Sequence, residues 1–252
     1  MMNIIIPMAG RGSRFSVAGY REPKPLIRLG DKKMIEVVVN NLRPHRAHRF
    51  IFVCQEEHIS EYKLIPLLEN IAPGSVIVPI KGISGGAACT VLAADAYIDN
   101  DQPLMIANSD QWVDICIDDY LKQMDERHLD GLIMTMTASD SKWSYVQCNE
   151  QGGVQRVVEK QVVSDEATVG IYNYRRGRVF CHFARQMVGN NDLSHGEFYV
   201  APVYNYLLQH NSDCRIGIMN IGTEMDGMYG LGTPEDLQNF ARLPVARQAI
   251  TF

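Results

Sequence analysis

Four short apolar runs punctuate the first 110 residues: Asn3–Pro7, Phe50–Cys54, Ser75–Ile80 and Pro103–Ala107. Each is too short for a helix of ordinary length and is bounded by turn-forming residues, so each reads as a buried strand. Between the first two, Ile35, Val38, Val39 and Leu42 recur at i, i+3, i+4 and i+7, which is one face of a helix. Glu61–Asn70 reads as a second helix interrupted at Pro66, and Ala87–Tyr97 as a third. Strands alternating with helices predict a mostly parallel sheet covered on both faces.

The second half changes character. Gly131–Thr137 and Thr168–Tyr174 are predicted strands, and Tyr145–Gln147 and Gln155–Glu159 flank Gly152-Gly153 as a hairpin. Helices are expected over Gly177–Val188 and Ala201–His210, with a late strand at Arg215–Asn220. Thr233-Pro234-Glu235-Asp236 opens a final helix: Thr as N-cap, Pro at the first position, acids in the first turn. The fold class expected is α/β, a Rossmann-like three-layer sandwich with a mostly parallel, mixed central sheet. At 252 residues one domain is expected to span 1–252.

Composition narrows the function classes. The net charge of -5 argues against a nucleic-acid surface, which would need excess Lys and Arg. No apolar run approaches the roughly 20 residues that span a bilayer, so no membrane partner is expected. The N-terminus enters Ile4-Ile5-Ile6 without a basic leader, so no signal peptide is expected and the location expected is cytoplasmic. The six cysteines form no CxxC pair and read as buried free thiols. The seven histidines show no HExxH spacing, so no zinc site is expected.

In an open α/β sheet, ligands bind outside the carboxyl ends of the strands. After Pro7 comes Ala9-Gly10-Arg11-Gly12-Ser13-Arg14, whose glycines let main-chain N–H groups approach a phosphate. Arg11 and Arg14 bring charge to the same place, and Arg can grip phosphate bidentately. Ten residues on, Lys24 is held between Pro23 and Pro25 as a point charge. A second loop, Gly82 to Gly86, follows the third strand, and Asn108-Ser109-Asp110 ends the fourth. The Walker A pattern GxxxxGK[ST] is absent.

Pro7-Met8-Ala9-Gly10-Arg11-Gly12-Ser13-Arg14-Phe15, with Pro23-Lys24-Pro25-Leu26 and Met34-Ile35, resembles the signature of the sugar-phosphate nucleotidyltransferases, the nucleoside-diphosphate-sugar pyrophosphorylases. Later segments resemble that family in the same order: Gly85-Gly86-Ala87-Ala88, Asn108-Ser109-Asp110, Val158-Glu159-Lys160, Thr168-Val169-Gly170-Ile171-Tyr172, Gly196-Glu197-Phe198-Tyr199 and Gly232-Thr233-Pro234-Glu235-Asp236-Leu237. The resemblance implies transfer of a nucleoside monophosphate from an NTP to a phosphorylated small acceptor, foremost a sugar 1-phosphate, with release of pyrophosphate, in surface polysaccharide precursor synthesis. It implies a nucleotide-binding half over about 1–115 and an acceptor-binding half over about 116–252. Arg14, Lys24 and Asp110 would be the catalytic residues, Arg14 on the β- and γ-phosphates and Lys24 between the α-phosphate and the incoming phosphate. Ala9, Gly10, Arg11, Gly12, Ser13, Gly85 and Gly86 would hold the nucleotide, and Glu159, Lys160, Gly170 and Glu197 the acceptor. Asp110 would bind Mg²⁺.

Plainer readings stand beside these. Asp110 could be a turn residue, Glu159-Lys160 a solvated pair, Glu197 a helix cap, and Arg11 a solvent-facing side chain. Trp112 and Trp143 read as packing or lining residues. The family's second metal-binding aspartate falls at Gly230 here, leaving Asp226 or Glu224 as substitutes, or one carboxylate helped by phosphates and water. With the closing helix near residue 252, the left-handed β-helix acyltransferase domain of some members of the resembled family, and a second activity with it, are not expected.

The nucleobase stays open, and so does the acceptor, which could be a non-sugar phosphate of the choline-phosphate or phosphoglutamine type. A glycosyltransferase of the related fold would use Asp110 in a DxD-like element, for which Asn108-Ser109-Asp110 stands instead. A catalytically silent nucleotide-binding subunit is the third reading. A homodimer is the default for such an enzyme.

Overall fold

The computed structural model describes residues 1–211 and 213–252. The first half contains β1 (Met2–Pro7), α1 (Ser13–Val17), the small hairpin β2 (Arg28–Leu29) and β3 (Lys32–Lys33), α2 (Met34–Asn41), β4 (His48–Gln55), α3 (Glu56–Glu61), α4 (Leu64–Ile71) and β5 (Val76–Ile80). It continues with α5 (Ala87–Leu92), α6 (Asp95–Ile98), β6 (Leu104–Ala107) and β7 (Gln111–Val113). The second half contains α7 (Ile117–Glu126), β8 (Gly131–Thr137), β9 (Ser144–Cys148), β10 (Val154–Glu159), β11 (Glu166–Tyr174), α8 (Gly177–Gly189), α9 (Val203–His210), β12 (Ile216–Glu224), β13 (Gly227–Gly230), α10 (Pro234–Arg242) and α11 (Val245–Ile250).

The strands form one sheet in the order β5-β4-β1-β6-β11-β8-β12-β13-β7, with β9 attached to β11 and β10 to β9. Pairings β5-β4, β4-β1, β1-β6, β8-β12 and β12-β13 are parallel, while β11 runs antiparallel to β6, β8 and β9. The sheet is thus mixed and mostly parallel, as expected. From β1 the chain first builds outward through β4 and β5, then returns to the other side of β1 with β6. That reversal opens a crevice at the carboxyl ends of β1 and β6, where α/β folds bind ligands.

Period-two alternation places β1 between two cores. Ile4 and Ile6 pack with α2, α4 and α7, while Ile5 packs with α5, α6, α8 and α9 on the other face. A third core joins Phe15 and Met34 to Trp112, Tyr229, Leu237 and Phe240. The carboxyl-terminal helices α10 and α11 therefore close back over the first half of the chain. Thr233 caps α10 as expected, its Oγ1 accepting the Asp236 N–H at 3.0 Å.

Two helix expectations need correction. The break near residue 63 is at Lys63, which has φ +50°, and Pro66 sits inside the first turn of α4. The proline is tolerated there because a first-turn N–H has no intrahelical acceptor. The helix expected over Ala87–Tyr97 is two short ones, broken where the Ala94 N–H tightens onto the Val91 carbonyl at 3.0 Å. The thiols also differ from expectation. All six are free, but Cys116 is exposed and Cys89, Cys148 and Cys214 are half-buried. Only Cys54 and Cys181 are buried, and burial pushes both thiols up to about 12.

Candidate active site

Two adjoining cavities open at the crevice, one of about 520 Å³ and one of about 590 Å³, sharing Ala87 and Asn108 as a common wall. The smaller is walled by Ala9, Gly10, Arg11, Gly12 and Ser13 on one side and by Ile83, Ser84 and Gly86 on the other. The main-chain N–H groups of Ala9, Gly10, Arg11 and Gly12 donate no hydrogen bond among the described residues. Unpaired main-chain donors of this kind are what an anion-binding concavity is built from. Gln55 holds this loop in place by donating to the Ala9 carbonyl at 2.7 Å.

Two glycines in these loops are geometrically required. Gly12 has φ +59°, and a Cβ there would sit 3.2 Å from the Cβ of Lys24. The first loop and the Pro23–Leu26 turn therefore touch. Gly86 has φ +133°, and a Cβ there would lie 2.6 Å from both the N and the O of Phe198. The segment around Phe198 clasps this loop from both sides: Phe198 N–H donates to the Gly85 carbonyl and Ala88 N–H to the Phe198 carbonyl, each at 2.9 Å.

Lys24 and Asp110 meet. Lys24 Nζ lies 2.7 Å from Asp110 Oδ2. Asp110 lines the larger cavity, and the closing segment passes directly over it. Leu231 N–H donates to the Asp110 carbonyl at 2.8 Å, and a Cβ on Gly232 would sit 2.9 Å from Asp110 Oδ2. Gly230 pairs opposite Gln111 in the β13-β7 ladder and lines the same cavity.

The larger cavity also collects Arg14, Glu159, Lys160 and Gly170. Gly170 has φ +80°, and a Cβ would lie 2.1 Å from Asn108 Nδ2 and 2.9 Å from Gln111 Oε1. Lys160 Nζ donates to the Tyr199 hydroxyl at 2.9 Å and lies 5.1 Å from the centre of that ring. Glu159 accepts a hydrogen bond from Ser144. Burial pushes the Glu159 carboxyl up, and the Ser144 hydroxyl and the charge of Lys160 offset part of this.

Some expected site residues fall elsewhere. Glu197 lines the smaller cavity, apart from Glu159, Lys160 and Gly170 in the larger. It caps no helix; its main chain bridges to Ser194. Arg14 lines the larger cavity, whereas Arg11 lines the smaller one beside the free amides. Lys24 and Gly85 line neither cavity; Lys24 contacts Asp110, and the Gly85 carbonyl accepts from Phe198 N–H. Trp112 is a packing residue against Tyr229 and Phe240, while Trp143 lines the larger cavity beneath Lys142.

Five carboxylates line the larger cavity: Asp110, Glu159, Glu224, Glu235 and Asp236. Asp226 is exposed, lies on neither cavity wall, and its main chain closes the turn between β12 and β13. Glu224 does line the larger cavity but is held by Lys142 at 2.9 Å. No group of three or more potential metal ligands occurs among the described residues.

Sequence reasoning missed several lining residues: Gln111, Lys142, Ser144, Thr168 and Tyr172. Gln111 is buried, and its Nε2 has no hydrogen-bond partner among the described residues. Its position immediately after Asp110 was the available signal.

The chain thus combines a mixed α/β sheet, two adjoining cavities at the carboxyl ends of β1 and β6, and a lysine–aspartate pair beside the larger one. Residues 3–197 match the nucleotidyl transferase family, and the chain belongs to that family. No curated protein matches the chain at a significant level. Among solved structures it is similar to the nucleoside-diphosphate-sugar pyrophosphorylase from Vibrio cholerae RC9, at 22% identity and TM-score 0.80, covering 95% of this chain and 100% of that one. A protein assigned as a glucose-1-phosphate thymidylyltransferase from Bacillus anthracis, in complex with a sucrose, is 19% identical at TM-score 0.77, over 100% and 97% of the two chains. A UDP-glucose pyrophosphorylase complexed with UDP-glucose is 17% identical at TM-score 0.75, over 96% and 97%. These likenesses establish the shared fold. Among the described residues, no helix is long and apolar enough to cross a membrane.

Proposed function

We propose that this nucleotidyltransferase moves a nucleoside monophosphate from an NTP to a sugar 1-phosphate, releasing pyrophosphate, to make an activated precursor for surface polysaccharide. The observation that carries this reading is the pair of adjoining cavities, the larger lined by Asp110, to which Lys24 is ion-paired. The smaller would take the nucleotide on the amides of residues 9–12, with Arg11 near its phosphates. The larger would take the acceptor against Glu159, Lys160 and Gly170.

An oxygen of the acceptor phosphate forms a bond to the α-phosphorus as the bond to the β-phosphate oxygen breaks, and pyrophosphate leaves with that electron pair. The difficulty is anion meeting anion, so the groups needed are cations at both phosphates. Lys24 and Arg14 would supply them. Holding the two substrates in line could contribute roughly 7–11 kcal/mol at best. A phosphate monoester is already ionised near neutral pH, so no general base is assigned.

Asp110, which lines the larger cavity with no cluster of three ligands around it among the described residues, would hold Mg²⁺ borne on the nucleotide, with phosphate oxygens and water as the other ligands. Mg²⁺ would neutralise charge on the phosphate oxygens. A cytoplasmic homodimer is the setting we propose.

The test is pyrophosphate release with Mg²⁺, one NTP at a time and a panel of phosphorylated acceptors. Release that requires one NTP and one sugar 1-phosphate supports the reading. Release with phosphocholine or a phosphorylated amide instead would replace the acceptor. NTP binding without release across the panel would favour a silent nucleotide-binding subunit.

A further inference from the structure

Three buried hydroxyls lie side by side on the wall of the larger cavity. Ser144, Thr168 and Tyr172 are 8%, 4% and 6% exposed, and all three face the cavity. Thr168 Oγ1 and the Tyr172 hydroxyl are 2.9 Å apart. Ser144 Oγ donates to Glu159 Oε2 from the adjacent strand, where Glu159 and Ser144 are register partners in the β10-β9 hairpin. Glu159 Oε1 has no hydrogen-bond partner among the described residues. A carboxylate oxygen accepts well only when ionised and held in one orientation, and a half-buried carboxylate tends to lose both properties.

We infer that Ser144 is a positioning residue for the acceptor: its hydroxyl fixes one oxygen of Glu159 and so presents the other to a hydroxyl of a polyhydroxylated ring. This rests on the reading of the larger cavity as the acceptor site. The hairpin supplies the physical means. Directly opposed residues on neighbouring strands keep their side chains within bonding reach, so the contact survives without a ligand. Ser144 also counteracts the burial that would otherwise favour the neutral carboxyl. Thr168 and Tyr172 complete a hydroxyl-lined wall that suits a ring bearing several hydroxyls better than a trimethylammonium group.

The test uses Ser144→Ala, Ser144→Thr and Glu159→Gln in the full chain. Ser144→Ala should raise KM for the acceptor about tenfold, the loss expected for a hydrogen bond to a charged group, and leave KM for the NTP unchanged. The acidic limb of kcat/KM for the acceptor should move to higher pH, because the carboxylate has lost a donor. Ser144→Thr should restore both. Adding Ser144→Ala to Glu159→Gln should cost nothing further.

A second readout needs no turnover: side-chain carboxyl NMR, with Glu159 assigned through Glu159→Gln. In Ser144→Ala the Glu159 titration midpoint should rise. An unchanged midpoint, or equal losses for acceptor and NTP, would overturn the inference. A raised midpoint in a protein that transfers nothing to any acceptor would keep the Ser144–Glu159 contact and remove the acceptor reading instead.

Discussion

Lys24 Nζ and Asp110 Oδ2, 86 residues apart in sequence, sit 2.7 Å from one another beside the larger cavity, which Asp110 lines. Their side chains are 24% and 22% exposed. A partly exposed ion pair contributes only about 0–1 kcal/mol to stability. Its position beside the larger cavity, rather than any stabilisation, therefore gives it a chemical reading. Lys24→Ala and Asp110→Ala should each lower kcat by about 100-fold or more, as loss of a preorganised charge does. Urea midpoints should change little. A folded Lys24→Ala protein with near-normal turnover would remove the phosphate role.

Gly170→Ala tests the wall between the cavities. The new methyl would collide with Asn108 Nδ2 at 2.1 Å from a backbone at φ +80°. Destabilisation of about 3 kcal/mol or more is expected, from strain and overpacking together. Denaturant unfolding measures it. Gly10→Ala, where a Cβ meets nothing within 4 Å, is the control in the same part of the molecule.

Gly86→Ala should act on the nucleotide side. The Cβ has only main-chain atoms of Phe198 to push against, at 2.6 Å, and these cannot rotate away. The loop and the Phe198 segment must separate. KM for the NTP should rise while KM for the acceptor rises less; the opposite order would reassign the two cavities.

Glu159 predicts an unusual pH dependence of stability. Burial raises its folded carboxyl above the unfolded value, so between these values the folded state holds the extra proton. Stability therefore falls as pH rises from the ordinary Glu range through the folded value. Glu159→Gln removes this loss, so the variant should gain stability relative to wild type on going from pH 4 to pH 7, while losing affinity for the acceptor. Thermal denaturation at the two pH values decides it.

Gly230→Asp should tighten Mn²⁺ binding to the nucleotide-free protein, measured by calorimetry. The position lines Asp110's cavity, and a Cβ there meets nothing within 4 Å. A second carboxylate would give the ion a protein site that Asp110 alone does not complete.

Local chemistry made much of this protein readable in one dimension. The apolar run at Ile4–Ile6 must be buried, and alternation puts Ile5 on the face opposite Ile4 and Ile6. Glycines at 10 and 12 announced a loop with unpaired backbone donors that touches the proline-fenced Lys24 turn, because small residues and turn chemistry are local properties. Thr233-Pro234 announced a helix start for the same reason. Elements held by distant partners were illegible. Strands β7 and β13 are three and four residues long and pair with one another across more than a hundred residues, too short for any periodicity.

Tertiary structure alone decided which acids approach Asp110, because that depends on where β13 returns to the sheet. It put Gly230 beside Asp110, tied Glu224 to Lys142 and left Asp226 outside the cavities. It likewise moved Glu197 to the smaller cavity and set Ser144 against Glu159. Such contacts are made by side chains brought together through strand register and sheet order, and neither is written in the spacing of residues along the chain.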